Sequence, residues 1–179
     1  MRKVTFGGAN SLDNYFARKD GAVDWLIWSD EVTELMNDFW PRIDCIVTGR
    51  KTYDVAMQVT PNGEKVKNPY GDMKTYVFSR ALPAGERDGV EIVNEDPGKF
   101  VGDLKKQEGK EICIMGGGDL ARPLFEAGVI DEIGLNIQPV LLGSGVPLFH
   151  EMSRQIDLEL LDCKPLKNGC VYVLYRVKK

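Results

Sequence analysis

Apolar positions along this chain fall into short runs of two kinds. Branched and aromatic residues concentrate in Lys3–Gly8, Asp44–Thr48, Thr75–Ser79, Val90–Val93, Glu111–Met115 and Glu132–Ile137. Their length and the turn residues around them predict β-strands. Between them, Asp30–Trp40, Arg50–Met57, Pro97–Gln107 and Asp119–Ala127 carry apolar residues at helical spacing, with Ser29 placed to cap the first and Gly128 to stop the last. Strand and helix alternate through most of the chain. The final part differs: Leu158–Lys164 and Val171–Val177 flank Lys167-Asn168-Gly169 and read as an antiparallel pair closing the sheet. The pattern predicts an α/β protein with a mixed sheet flanked by helices.

Composition narrows the field. With 179 residues, 43% hydrophobic and 28% charged, the chain can bury one substantial core, and a single domain over 1–179 is expected. A formal net charge of -4 argues against a nucleic-acid partner, which needs a broad cationic face. The cysteines Cys45, Cys113, Cys163 and Cys170 form no C-x-x-C pair, and the single histidine, His150, cannot complete a zinc cluster. No metal is expected, and the cysteine usage fits a reducing compartment. No apolar stretch reaches membrane-spanning length, so the cytoplasm is the expected location and no membrane partner is expected.

Four constellations carry candidate chemistry. In Ile114-Met115-Gly116-Gly117-Gly118-Asp119-Leu120-Ala121 a strand runs into three glycines and then a helix. Backbone without Cβ atoms approaches a pyrophosphate closely, and the helix N-terminus favours the anion. A tight turn with close helix–strand packing is the competing explanation. Val47-Thr48-Gly49-Arg50-Lys51-Thr52-Tyr53 repeats the strand–glycine–helix arrangement with two cations in the first turn, where they oppose the helix dipole unless something negative binds nearby. Val77-Phe78-Ser79-Arg80 ends a strand with a hydroxyl and a guanidinium; Arg80 and Arg50 together could clamp a ribose 2′-phosphate and so select NADPH over NADH. Finally, Ala9-Asn10-Ser11-Leu12-Asp13-Asn14-Tyr15-Phe16-Ala17 reads as a polar break after the first strand, able to cover a ligand at the strand ends. There Asp13 suits a turn cap and Asn14 a positive φ.

In this order the four elements resemble the dihydrofolate reductase superfamily, most closely the reductase domain of riboflavin-biosynthesis enzymes and its stand-alone relatives. Pro139-Val-Leu-Leu-Gly-Ser-Gly-Val-Pro-Leu-Phe149 adds to the likeness. The resemblance implies a dihydrofolate-reductase-like three-layer fold with a mainly parallel central sheet and antiparallel C-terminal strands. It implies NADPH as cofactor, with Ala9, Phe16 and Ala17 near the nicotinamide. Gly49, Arg50, Lys51, Thr52, Phe78, Ser79 and Arg80 would serve the adenosine side, and Met115, Gly116, Gly117, Gly118, Asp119 and Leu120 the pyrophosphate. A cis Gly116–Gly117 peptide and a homodimer are implied as well.

The expected reaction is hydride transfer to a pterin-like or aminopyrimidine-ribose substrate, with a proton from water or from Asp13 or Asp30. Asp30, five residues after Trp25, is equally explained as a helix N-terminal charge behind Ser29. Asn14 stands where such reductases carry glycine. Asn68–Lys74 offers no arginine for a folate glutamate tail, so folate reduction is the weaker substrate reading. Two different classes of function stay open beside the reductase. One is a dinucleotide-dependent dehydrogenase, which the lack of an early G-x-G-x-x-G disfavours. The second is a cofactor-binding protein without turnover.

Overall fold

A computed structural model describes residues 1–58 and 67–179. Its frame is a nine-stranded sheet. The strands are β1 (Val4–Ser11), β3 (Ile43–Gly49), β4 (Lys74–Phe78), β5 (Gly85–Arg87), β6 (Val90–Val93), β7 (Glu111–Met115), β8 (Glu132–Gln138), β10 (Leu158–Pro165) and β11 (Val171–Val177). From β8 through β1, β7, β3 and β4 to β6 every pairing is parallel. The C-terminal hairpin β10–β11 adds antiparallel to β8, and β5 adds antiparallel to β6. The mainly parallel sheet with antiparallel C-terminal strands is as expected, and β11 is internal while β10 forms the edge.

Alternation along the strands assigns the two faces. Val4 and Phe6 of β1, Val47 of β3, Ile112 and Ile114 of β7 and Ile133 and Leu135 of β8 point to one face. There they pack with Val101 and Leu104 of α3 (Pro97–Leu104) and Leu120, Leu124 and Phe125 of α4 (Gly118–Glu126). At ~1.5–3 kcal/mol for each fully buried large side chain, this layer is the main source of stability. The other face carries Ile43 and Ile46 of β3 and Cys113 of β7. They meet Phe39 of α1 (Asp30–Phe39), Trp40 of the following 3₁₀ turn, and Tyr70 and Met73.

Local signals place most helix ends. The Ser29 hydroxyl accepts from the Val32 N–H and Asp96 from the Lys99 N–H, each cap worth ~1 kcal/mol. Gly128, at φ 66°, follows the C-cap of α4. Helix α3 stops at Leu104, short of the expected Gln107, where Gln107 N–H turns back to the Leu104 carbonyl.

The largest departure concerns Ala9–Ala17. β1 does not break at Gly8 but runs to Ser11, because its ladder with β8 continues through Asn10↔Ile137 and Ser11↔Gln138. Asn10 and Ser11 are buried there with local hydrogen bonds. Only Leu12–Asn14 turn, and Tyr15–Ala17 forms β2, paired with β9 (Val146–Pro147) inside the Pro139–Phe149 segment. The second, two-stranded sheet thus rests on tertiary pairing that short polar runs do not announce.

Candidate functional site

The two strand-to-helix glycine turns come together at the C-terminal ends of the parallel strands. Strands β3 and β7 are neighbours, with Thr48 opposite Met115, so the turns that follow them adjoin. A Cβ placed on Gly116 would lie 3.4 Å from Thr52 Oγ1 and 3.6 Å from the Gly49 nitrogen, and one on Gly49 would meet Leu120 Cβ at 4.0 Å. Gly116 has φ 148°, a conformation that favours glycine. Helix α2 (Arg50–Gln58) begins at one turn and α4 at the other. Gly117 is the N-cap of α4 and brings no side chain to its first N–H groups.

Among the described residues the peptides are trans, including Gly116–Gly117, which corrects the expected cis bond; the sharp turn is made by the φ of Gly116 instead. Close packing also constrains two of these glycines. A Cβ on Gly118 would stand 2.5 Å from His150 Cδ2 and 2.8 Å from the His150 nitrogen, and one on Gly117 would stand 3.2 Å from the Pro147 carbonyl oxygen. Segment Val146–His150 therefore flanks the α4 N-terminus, and His150 Nε2 lies 3.1 Å from Asp119 Oδ1.

The cations sit in the first turn of α2 and just past β4. Arg50 and Lys51 are exposed in the first turn of α2, which holds no acid; Arg50 reaches Asp54 at 3.4 Å. Arg80 is exposed at the end of β4. Ser79 is buried, and its hydroxyl accepts from the Ala81 and Leu82 N–H groups, so it shapes the turn that presents Arg80. Phe78 packs edge-on to Phe100, 5.5 Å between centroids.

Beside these turns the sheet is open. β1 is a central strand, yet Gly7, Gly8 and Ala9 are only half-buried. Gly7 lies opposite Gly134 of β8, leaving bare backbone on the α1 side, and Ala9 lies opposite Asn136 beside it. On the opposite face, with the core around Phe6, the ring of Phe16 lies against Gly8, where a Cβ would be 2.6 Å from its Cε2. The segment leading to α1 closes over the end of β8, with Ile27 N–H donating to Gln138 Oε1 at 2.9 Å. Trp25, at 9% exposure, has an indole N–H without a partner among the described residues.

The two candidate proton donors are placed differently. Asp13 accepts from the Ser11 hydroxyl at 2.6 Å and from the Leu142 and Gly143 N–H groups at 3.1 and 2.7 Å. The Ser11 hydroxyl, with those backbone donors, holds its carboxyl below the usual range. It is a carboxylate that ties the β1–β2 turn to the Pro139–Phe149 segment, poorly suited to give up a proton. Asn14 beside it takes φ 63°. Asp30 is exposed at the first position of α1 behind Ser29, where it complements the helix dipole.

Sequence reasoning missed Gly7, Gly134, Asn136 and the flanking His150. The signal available was the glycine in each of two predicted strands, since an isolated strand glycine marks a close approach. Two depressions, of about 840 and 480 Å³, lie at the opposite pole, around Lys105, Asp131 and Lys179 and around Arg154 and Asp157. They contain none of the site residues.

Residues 2–172 match the family model of the RibD C-terminal domain. The chain belongs to the RibD C-terminal domain family. This member is 35% identical to the uncharacterized protein YwjB of Bacillus subtilis (strain 168) over 164 residues, 91% of either chain. Among solved structures it resembles a putative riboflavin biosynthesis protein from Shewanella sp. PV-4, with TM-score 0.78, 28% identity and full coverage of both chains. A bifunctional deaminase and 5-amino-6-(5-phosphoribosylamino)uracil reductase from Thermotoga maritima superimposes with TM-score 0.72 at 14% identity over 99% of this chain and 57% of that one. A dihydrofolate reductase from Enterococcus faecalis complexed with NADP(H) gives TM-score 0.68 at 16% identity, with 99% and 97% covered. The RibD-type chain therefore has the dihydrofolate-reductase-like fold. Among its described residues, no helix is long and apolar enough to cross a membrane.

Proposed function

We propose that this protein is an NADPH-dependent reductase that passes hydride to a pyrimidine or pterin-like substrate, at a CH–NH or a ribosyl C=O/C=N group, most like 5-amino-6-(5-phosphoribosylamino)uracil reductase. The observation that carries this reading is the junction of the Gly49 and Gly116 turns, which sets two helix N-termini side by side near the bare backbone at Gly7 and Gly134. Anions are favoured at helix N-termini by unsatisfied N–H groups and the dipole. Two such ends suit the two phosphate regions of an extended dinucleotide.

The residues fit the cofactor. Gly116, Gly117, Gly118, Asp119 and Leu120, after Met115, would hold the pyrophosphate. Gly49, Arg50, Lys51 and Thr52, with Phe78, Ser79 and Arg80, would hold the adenosine side. Arg50 and Arg80 are both exposed at the same strand ends and available to a 2′-phosphate. Ala9, Phe16 and Ala17 would border the nicotinamide. The cofactor supplies the hydride. The protein's part is to align donor and acceptor over the Gly7–Ala9 floor and to exclude water with the β1–β2 turn, which Asp13 anchors. With Asp13 held ionised, the proton comes from solvent or from Asp30.

A cytoplasmic location and a homodimer belong to the same proposal; sedimentation velocity tests the latter. For the activity, NADPH oxidation followed at saturating cofactor with aminopyrimidine ribosides and pterins is the test. Turnover with one of these classes supports the reading, and binding of NADPH without turnover on any of them would reduce the protein to a cofactor-binding module.

A further inference from the structure

The reductase reading gives no role to Asn136, although it stands one strand from Ala9. In β8, Ile133 and Leu135 enter the core, so Glu132, Gly134, Asn136 and Gln138 project to the α1 side. Their polar members are otherwise engaged: Glu132 meets Lys3 at 3.1 Å, and Gln138 accepts from Ile27. Asn136 is the exception. Its Oδ1 is enclosed and has no partner among the described residues. Enclosed amide oxygens are rarely left unpaired, because an unmade hydrogen bond there is costly.

Its surroundings point to a flat ligand. Across the ladder Asn136 sits between Ala9 and Tyr172, each a strand spacing of ~4.8 Å away. One pleat along, Gly7 and Gly134 face each other without side chains, and a Cβ on Gly134 would touch the Tyr172 hydroxyl at 3.5 Å. A planar ring resting on this floor next to Ala9 presents its edge to the Asn136 amide. A carboxamide offers one acceptor and two donors in a plane, and the edge that matches it twice is an N–H beside a C=O. Either rotamer of the amide serves.

Building on the reductase reading, we propose that Asn136 determines specificity for the heterocycle by pairing in two contacts with a lactam edge, such as the N3–H and C4=O of a uracil-type ring. Asn136 touches neither the transferred hydride nor the dinucleotide in this arrangement. Its effect falls on substrate affinity.

The test is a chemical and mutational cycle on protein saturated with NADP⁺, which permits binding without turnover. Calorimetric titration compares 5-amino-6-(5-phosphoribosylamino)uracil with its N3-methyl analogue on the wild type, on Asn136→Leu and on Asn136→Ser. The expected result is that methylation weakens binding to the wild type by about tenfold or more, the range for a two-contact amide pair. Both variants should bind the two compounds equally, with NADPH affinity unchanged. The serine variant keeps a small polar group should leucine disturb folding. A methylation penalty as large in the variants as in the wild type overturns the proposal, as does a wild type that binds NADPH but neither compound; in that case the cofactor reading survives. Failure to bind NADPH overturns both.

Discussion

Gly116 and Gly49 end neighbouring strands so closely that a Cβ on Gly116 would lie 3.6 Å from the Gly49 nitrogen. The two turns therefore act as one surface, and a change in either is felt at both. Gly116→Ala has space, with 3.4 Å to Thr52 Oγ1, but its φ of 148° is costly for any L residue. The expected penalty is ~1–3 kcal/mol, stored at the site rather than in the core. The variant should weaken NADPH binding by tenfold or more with a smaller loss in thermal midpoint, read by fluorescence titration and calorimetry.

Gly118→Ala should behave in the opposite way. The new methyl would collide with the His150 backbone, 2.8 Å away, and force the Val146–His150 segment outward. Overpacking of this kind costs ~1–3 kcal/mol. Denaturant midpoints should fall, and Gly118→Ser should fall at least as far.

The legibility of the sequence differed between these two glycines and for physical reasons. Strand and helix positions were visible because parallel strands such as Ile112–Ile114 and Val47 are apolar on a core face, and because Ser29, Asp96 and Gly128 mark helix ends chemically. The same alternation hid β1 beyond Gly8: Asn10 and Ser11 are polar yet fully inside the sheet, held by a ladder to residues far away in sequence. The glycine turns were legible as turns. Which glycine serves φ and which serves packing depends on His150 and Thr52, which only the folded chain brings near. Asn136 could not be singled out without the register that sets it beside Ala9.

Asp13 anchors the β1–β2 turn to Leu142 and Gly143. Asp13→Asn keeps the shape but loses the charge-assisted bonds, and Asp13→Ala loses all of them. Activity should drop more for alanine than for asparagine, by one to two orders of magnitude when a covering loop is misplaced. Steady-state rates over pH should show the asparagine variant retaining the wild-type profile. A general acid at this position would instead shift the profile.

A partly buried charge cluster should contribute to the pH dependence of stability. Lys105, at 6% exposure, contacts Asp131 at 2.5 Å and the Val129 carbonyl at 2.8 Å, while Lys179 meets Asp131 at 2.7 Å. Burial alone raises the Asp131 carboxyl, but hydrogen bonds from Lys105, Lys179 and the Val4 N–H outweigh it and hold the group below the usual carboxylate range. A depressed folded pKa means the stabilisation is present above the unfolded value and is lost as pH falls through the folded one. Asp131→Asn should cost about 3 kcal/mol at neutral pH, because it strands Lys105. Its unfolding free energy should also vary less with pH than the wild type's below about pH 4.

Cofactor selection tests the central claim most directly. Fluorescence titration of the protein with NADPH and with NADH, on the wild type and on Arg50→Ala, should give tight NADPH and weak NADH binding. The variant should lose most of that difference, because its effect falls on the 2′-phosphate. Equal affinities for the two dinucleotides, or no binding of either, would contradict the account.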